Sequence, residues 1–412
     1  MVHRAEESLE ELAELATSAG AEVVERVIQA RQRAEAATLI GQGKVEELRA
    51  AVASTGADAV IFDHELTPTQ QRNLERAIDA KIIDRTALIL DIFAARARTR
   101  EGRLQVELAQ LNYLLPRLAG RGKEMSRLGG GIGTRGPGET QLETDRRRIA
   151  KRIKKIEDDL EGVRAGRALH RRRRETVPLA TLALAGYTNA GKSTLFNRLT
   201  RAGVLTDARM FATLDPTVRP LVLPSRRRVL ISDTVGFIRN LPTTLVQAFR
   251  ATLEEVTAAS LILHVVDASS PAAAEHAGHV REVLAEIGGA EIPQVLVLNK
   301  MDRLSDVRDD AAGLARRLLG RAAESGVVRA VEISALTGAG IENLLAAMDA
   351  VLPLDPVVRT TFRVPAGDGA TLAMLHEFGR VLDSRMVEGE VEVEVEAEVP
   401  ESIRRRLGGF CR

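Results

Sequence analysis

Apolar positions in the first hundred residues alternate between a helical and a strand-like period. Leu9, Leu12 and Leu15 share a helical face, residues 22–28 are extended, and Thr38-Leu39-Ile40 reads as a strand. A helix runs from 43 to about 53, a strand covers 59–63, and a helix begins near Thr67 with Pro68 just inside its start. Lys81-Ile82-Ile83-Asp84 is a third short strand before an apolar helix at 87–97. Strands separated by helices predict a small α/β layer with a largely parallel sheet over residues 1–98. Leu104, Leu108, Leu111, Leu115 and Leu118 then recur at spacings of 4, 3, 4 and 3, and Ile149, Ile153, Ile156, Leu160 and Val163 repeat the series. Two such seams joined by a loop predict an antiparallel helical hairpin within residues 99–176. Further apolar strands lie at 179–185, 229–232, 295–298 and 331–333. The tail, 353–412, predicts a small α+β domain: a strand at 360–364, a helix at 370–382 and a Glu/Val-alternating strand at 390–395 with one buried and one wet face.

Composition narrows the class. With 45% apolar residues but 3% aromatics and no Trp, the cores are expected to be aliphatic. The one cysteine, Cys411, excludes a disulfide framework and a Cys-based metal site. No apolar run is long enough to span a bilayer, and the start of the chain lacks a signal-peptide pattern, so a cytoplasmic location is expected.

The run 179–185 ends at Gly186-Tyr187-Thr188-Asn189-Ala190-Gly191-Lys192-Ser193, and a helical pattern follows from Thr194. This is GxxxxGK[ST] between strand and helix. Small residues let backbone N–H groups close around a β-phosphate, and the helix N-terminus adds partial positive charge. Lys192 is expected to reach the β- and γ-phosphates, and the Ser193 hydroxyl to ligate Mg²⁺. Alone, this loop says only nucleotide. The strand 229–232 runs into Asp233-Thr234-Val235-Gly236, which offers a carboxylate to hold Mg²⁺ through water and a glycine N–H for the γ-phosphate. The strand 295–298 ends at Asn299-Lys300-Met301-Asp302. Asp302 can accept from guanine N1–H and N2–H₂, a pair that adenine lacks, and an unpaired buried carboxylate would make the wrong base costly. Ser334-Ala335-Leu336 offers its backbone to guanine O6. In this order the motifs imply a guanine-nucleotide switch that takes GTP with Mg²⁺ and yields GDP. Thr213 and Thr217 both precede the Asp233 strand, and position alone leaves them rivals for the switch threonine.

The net charge of +1 conceals an uneven distribution. From Arg117 to Glu175 there are 18 Lys and Arg against 9 Asp and Glu. Arg121, Lys123, Arg127 and Arg135 fall in a glycine-rich loop at 120–139. Arg146, Arg147, Arg148, Lys151, Arg152, Lys154 and Lys155 fall on the second hairpin helix, and Arg171 to Arg174 precede the nucleotide-binding stretch. A basic tip on a long hairpin suits phosphate-backbone contact. Tyr113 is the lone aromatic nearby, so shape and charge recognition of structured RNA is expected rather than base stacking, and DNA is not.

The combination Gly41-Gln42-Gly43-Lys44-Val45-Glu46-Glu47-Leu48, Asp84-Arg85-Thr86, Gly136-Pro137-Gly138-Glu139 and Phe211-Ala212-Thr213-Leu214-Asp215-Pro216-Thr217 resembles the HflX GTPases over about residues 5–400. The resemblance implies a P-loop domain over 177–352, a mostly parallel sheet with helices on both faces. It implies binding to the large ribosomal subunit, with the loop 120–139 reaching ribosomal RNA, and splitting or rescue of stalled ribosomes under stress. It makes Thr213 the switch threonine that completes the Mg²⁺ shell, and it adds Phe211, Ala212, Leu214 and Asp215 to the nucleotide site. Lys192, Thr213 and Gly236 are the residues assigned to catalysis.

After Gly236, where many GTPases carry a water-orienting glutamine, stands Phe237, so hydrolysis is expected to be slow until a partner intervenes. His264, inside an apolar strand pattern, reads as a core histidine, and Asp267 as structural. The rival readings are a GTPase of ribosome assembly or tRNA modification, and an RNA scaffold that holds GTP without turnover. The segment 5–98 carries no phosphate-binding signature of its own. A monomer is expected, since the nucleotide domain shows no added dimerisation element.

Overall fold

The computed structural model describes residues 2–31, 33–118, 137–175, 179–201, 210–211, 213–239, 255–304, 313, 327–352, 357–387 and 391–411. Side chains at 2–4, 137–142, 164–165, 167–175 and 327–328 lie outside that description, as do Ala212 and most of the loop 120–139.

The N-terminal part holds helices α1 (Val2–Ser18), α2 (Gln42–Thr55), α3 (Pro68–Ala77) and α4 (Arg85–Arg96) with parallel strands β1 (Ala59–Phe62) and β2 (Lys81–Asp84). Thr67 and Gln70 close a capping box on α3, with Pro68 in its first turn, as the local sequence predicts. The predicted strand at Thr38-Leu39-Ile40 is instead a tight turn. Glu35 and Leu39 exchange backbone hydrogen bonds of 3.0 and 2.9 Å, and Leu39 sits at φ 64°. A three-residue apolar run is too short to build a ladder against that local closure.

The hairpin pairs α5 (Arg100–Leu118) with α6 (Pro137–Glu175). Leu104, Ile156 and Leu160 are buried between them, with Leu108 and Leu111 packed alongside. Arg152 forks onto Glu107 at 2.6 and 2.7 Å, which fixes the antiparallel register.

The part that carries the phosphate-loop motif is a six-stranded sheet in the order β4-β5-β3-β6-β7-β8. Its strands are β3 (Thr181–Gly186), β4 (Thr217–Val222), β5 (Arg228–Asp233), β6 (Leu261–Asp267), β7 (Gln294–Asn299) and β8 (Val327–Glu332), and only β4 runs antiparallel to its neighbour. Successive residues of β3 feed opposite faces. Leu182 and Leu184 join the core under α7 (Lys192–Thr200) and α9 (Ile341–Val351). Ala183 and Ala185 join the core under α8 (Ala273–Glu286), and that core continues into Leu12 and Leu15 of α1 and Phe93 of α4. A parallel sheet buried on both faces explains why its strands read as unbroken apolar runs.

The tail is an antiparallel sheet in the order β10-β11-β9, built from β9 (Val357–Pro365), β10 (Arg380–Met386) and β11 (Glu392–Pro400), with α10 (Gly369–Phe378) and α11 (Glu401–Arg406). The helix predicted to reach residue 382 stops at Gly379. A Cβ there would meet Val399 Cγ1 at 2.5 Å and Leu375 O at 2.9 Å, so the chain turns and continues as β10. Val395 and Val399 are buried, while Glu394 and Glu396 pair with Arg385 and Arg359 on the wet face.

Candidate active site

The predicted motifs converge at the C-terminal ends of β3, β5, β7 and β8. The loop after β3 reaches α7 through Gly191 at φ 93°, a conformation in which a side chain is strained. Lys192 is buried, and its Nζ donates to Gly186 O at 2.9 Å and Tyr187 O at 2.7 Å. Burial lowers its ammonium to about 8, with the nearby Asp233 carboxylate pulling the other way. Ser193 Oγ lies 2.7 Å from Asp233 Oδ2 and 2.8 Å from Thr213 Oγ1, and Thr213 Oγ1 donates to the same Asp233 oxygen at 2.8 Å. Thr217, the positional rival, opens β4 and pairs in register with the Asp233 backbone.

Burial raises the Asp233 carboxyl, opposed by the Ser193 hydroxyl, the Lys192 charge, the Thr213 hydroxyl and the Thr234 N–H. Its Oδ1 is buried with no hydrogen-bond partner among the described residues. Two hydroxyls and a carboxylate with a spare oxygen are the hard donors a divalent cation such as Mg²⁺ takes, so these residues fit that ion.

The stretch after β5, Asp233–Phe237 (switch II), lies against the phosphate loop. Phe237 N donates to Gly186 O at 3.1 Å, and Thr188 N donates to Phe237 O at 2.7 Å. A Cβ on Gly236 would stand 2.9 Å from Thr188 Cγ2 and 3.1 Å from Lys192 Nζ, so only glycine fits. The Phe237 ring is buried in the core shared with α1 and α4.

At the base-binding end, Asn299 Nδ2 donates to Ala190 O at 2.8 Å and Asn299 Oδ1 accepts from Ala335 N at 2.9 Å, tying the phosphate loop to the Ser334-Ala335-Leu336 loop. Ser334 Oγ holds Asp302 Oδ1 at 2.5 Å, and Lys300 Nζ pairs with Asp267 Oδ2 at 2.7 Å. Asp267, read from sequence as merely structural, thus fixes a motif lysine. Leu336 is largely exposed.

Other contacts of the site escaped the sequence reading. Arg198 of α7 bonds the carbonyls of Ala335 and Leu336 and so steadies the base loop. The Tyr187 ring stacks on His276 at 3.9 Å between centroids, and its hydroxyl bonds Glu11 of α1. These contacts join residues 89 or more positions apart in the chain, and no local pattern announces them. His264 is buried as expected of a core histidine, but neither ring nitrogen has a partner among the described residues. Burial drives its pKa down to about 3, with Arg281 and Lys192 adding to the shift.

Family models match along the chain: "GTP-binding GTPase N-terminal" over 6–94, "GTP-binding GTPase Middle Region" over 96–174, "50S ribosome-binding GTPase" over 181–300 and "Elongation factor Tu GTP binding domain" over 248–354. The GTPase HflX of Caldanaerobacter subterraneus subsp. tengcongensis is 49% identical over 405 residues, covering 98% of this chain and 90% of that protein. The GTPase HflX of Escherichia coli is 44% identical over 401 residues, 97% of this chain and 92% of that protein. The chain belongs to the HflX family of GTPases. It hydrolyses GTP. Among solved structures, a GTP-binding protein from Sulfolobus solfataricus in complex with GDP is 25% identical and covers 84% of this chain and 95% of its own, at a TM-score of 0.46.

Within this HflX GTPase, the predicted site residues of the phosphate loop, Asp233–Gly236, Asn299–Asp302 and Ser334–Leu336 line one locus, with Thr213 among them. Asp215 turns away from it, toward the start of α5, and Phe211 packs edge-to-face on Phe93 with centroids 4.6 Å apart. Ala212 lies outside the described residues.

Proposed function

We propose that this GTPase binds the large ribosomal subunit through its basic hairpin and splits or rescues stalled ribosomes, using GTP as the switch. The observation that carries the reading is the two-faced helix α6. Ile156 and Leu160 turn toward α5, while Arg147, Lys151, Lys154 and Lys155, one helical face at i, i+4, i+7 and i+8, are exposed on the other side. Arg146, Lys151, Lys154 and Lys155 have no ion pair among the described residues, and the Arg147–Glu143 and Arg148–Asp145 pairs are exposed ones that a phosphate can displace at little cost. Arg117 is not part of this face: it bonds Leu66 O at 2.7 Å and Asp84 at 3.2 Å and covers the Tyr113 ring, anchoring α5 to the N-terminal domain. The buried Tyr113 leaves no stacking platform among the described residues of the hairpin, which favours shape and charge recognition of RNA.

At the nucleotide site, Lys192 exchanges its two loop carbonyls for the β- and γ-phosphate oxygens, and Gly236 offers its N–H to the γ-phosphate. Asp302, oriented by Ser334, accepts from the guanine edge, and the Ala335 and Leu336 backbone meets O6. Ser193 and Thr213 would hold Mg²⁺ directly and Asp233 through water; the bound ion supplies charge neutralisation at the phosphates. With the Phe237 ring buried in an apolar core, no side chain at that position orients the attacking water, so the ribosome must complete the site. The partner puts the working place in the cytoplasm, and none of the described helices is long and apolar enough to cross a membrane.

Steady-state GTP hydrolysis alone and with large ribosomal subunits, beside a variant lacking 120–139, tests this. The expected result is strong stimulation that disappears with the loop, and subunit separation on sucrose gradients that requires GTP. No stimulation by subunits, with GTP still bound, would sink the reading.

A further inference from the structure

The segment that carries Thr213 is fastened to the N-terminal half of the molecule on both sides of the threonine. Before it, Phe211 inserts its ring edge-to-face against Phe93 of α4, buried in the core that also holds Val106 and Ala109 of α5. After it, Asp215 directs its carboxylate to the start of α5. Its Oδ2 accepts the N–H groups of Arg98 and Thr99 at 2.9 Å each, and its Oδ1 accepts the Thr99 hydroxyl at 2.5 Å. Thr99 Oγ1 in turn accepts the Gly102 N–H at 2.9 Å. The first N–H groups of a helix have no partner within it, and here part of the cap comes from a residue 116 positions away.

The approach is close enough to dictate a residue on the helix. A Cβ on Gly102 would collide with Asp215 Oδ1 and stand 3.1 Å from Thr99 Oγ1. Glycine is a poor helix former, and the carboxylate explains its presence in the first turn. The connection to the metal-binding cluster is short and stiff. Pro216 fixes its own φ and drives Asp215 to an extended conformation. Thr217 is then held by its register with Asp233. Two residues span at most about 7 Å, so Thr213 is tethered within that distance of the capped start of α5, and a larger excursion breaks the cap or draws α5 along.

We propose that Asp215 is a positioning residue that couples Thr213 to the hairpin. With Thr213 engaged at the nucleotide, the cap holds and α5 keeps one orientation; with Thr213 released, the cap is lost and the hairpin shifts against the nucleotide domain. By linkage the coupling runs both ways: a hairpin held by its partner keeps Thr213 in place for hydrolysis. The proposal rests on Thr213 as the nucleotide-sensing threonine and is independent of which partner the hairpin meets.

The test uses the full chain with Cys411→Ser and spin labels on cysteines replacing Glu157 of α6 and Glu286 of α8, both exposed. Distances are read by pulsed EPR with GDP and with a non-hydrolysable GTP analogue, each with Mg²⁺ and without ribosomes. The distribution is expected to differ between the two nucleotides in the parent chain and to become the same in Asp215→Ala and in Gly102→Ala. The second variant adds helix propensity, so its loss of response cannot be loss of the helix. Asp215→Ala is also expected to lower the preference for the GTP analogue over GDP by roughly five-fold or more. A parent chain whose distance ignores the nucleotide overturns the proposal, as does an Asp215→Ala chain that keeps the full shift. Because no ribosome is present, these outcomes are read apart from ribosomal stimulation of hydrolysis.

Discussion

Asn299 is the point where the phosphate end and the base end of the site meet, and Asn299→Ala measures what that junction contributes. The side chain is buried, and its amide satisfies two backbone groups that are themselves buried, Ala190 C=O at 2.8 Å and Ala335 N–H at 2.9 Å. Truncation leaves both without a partner. A buried backbone group left unpaired costs about 1–3 kcal/mol, and one water entering the vacated space would recover part of this, so the net penalty is about 2–4 kcal/mol. For a domain of this size that corresponds to a fall in melting temperature of roughly 5–12 °C. The same change frees the phosphate loop and the Ser334-Ala335-Leu336 loop from each other. GDP affinity, measured with a fluorescent nucleotide analogue, is therefore expected to fall roughly 30-fold or more. The reasoning would be refuted by a variant that melts within a degree or two of the parent and binds GDP within about threefold of it. Such a result would mean that Ala190 and Ala335 find other partners and that the two loops are held independently.

Gly236→Ala places a methyl 2.9 Å from Thr188 Cγ2 and 3.1 Å from Lys192 Nζ, so it should cut single-turnover GTP hydrolysis by about 10²-fold or more while GDP binding changes less. Equal loss of GDP and GTP affinity would show instead that the whole phosphate loop is displaced. Phe237→Gln restores the residue type common in other GTPases but faces an apolar core, so basal turnover should stay low and the melting temperature should drop, at a cost of about 1–3 kcal/mol for the unpaired amide; a gain in ribosome-free turnover would contradict the placement. His264 is held neutral with its pKa at about 3 against an ordinary 6.5. The native chain therefore binds fewer protons than the unfolded one between those values, and stability falls as pH drops through that window, by on the order of 3 kcal/mol at pH 4. His264→Leu should flatten the melting curve between pH 6.5 and 4, and an unchanged slope would assign the acid sensitivity to other groups.

The convergence of the motifs was legible because each is a strand end followed by a turn, and the C-terminal ends of neighbouring parallel strands lie on one edge of the sheet. The hairpin was legible because its 4, 3 spacing repeats on two segments, and Leu104, Ile156 and Leu160 do pack together. What escaped has a common cause: it depends on pairs distant in the chain. Asp215 read as a nucleotide contact from its place in a motif, but its partners are the N–H groups of Arg98 and Thr99. Asp267 gave no signal until Lys300 lay beside it. Arg117 counted toward the basic face by charge alone, whereas its guanidinium is spent on Leu66 and Asp84. The errors in secondary structure were local competitions. The left-handed turn at Leu39 displaced a three-residue strand, and the close pass of Val399 at Gly379 ended a helix that hydropathy would have continued.

The Asp84-Arg85-Thr86 motif then acquires a physical meaning. Asp84 Oδ1 caps α4 at Ala87 N, and Oδ2 accepts from Leu66 N at 3.0 Å and from Arg117 at the far end of α5. Arg85 reaches the opposite way, to Glu11 of α1, to Asp63 at 2.6 Å and to the carbonyl of Arg239 at 3.2 Å, just past switch II. Arg239 N donates to the Tyr187 hydroxyl at 2.8 Å, and that hydroxyl bonds Glu11, which closes a ring through α1, the phosphate loop and switch II. Burial lowers the Arg85 guanidinium to about 10, so it remains charged at neutral pH. A buried ionic cluster of this kind is weak evidence for added stability, since desolvating the charges offsets most of their attraction. Its contribution is orientation. An apolar interface of the same size would tolerate sliding, whereas one guanidinium shared between two carboxylates and a carbonyl admits few arrangements. Asp84 fixes the hairpin to β2, and Arg85 ties the same turn to the Arg239 carbonyl and, through Glu11, to Tyr187 of the phosphate loop. Two adjacent residues therefore set the angle between the basic hairpin and the nucleotide site, the angle on which the Asp215 contact with α5 depends.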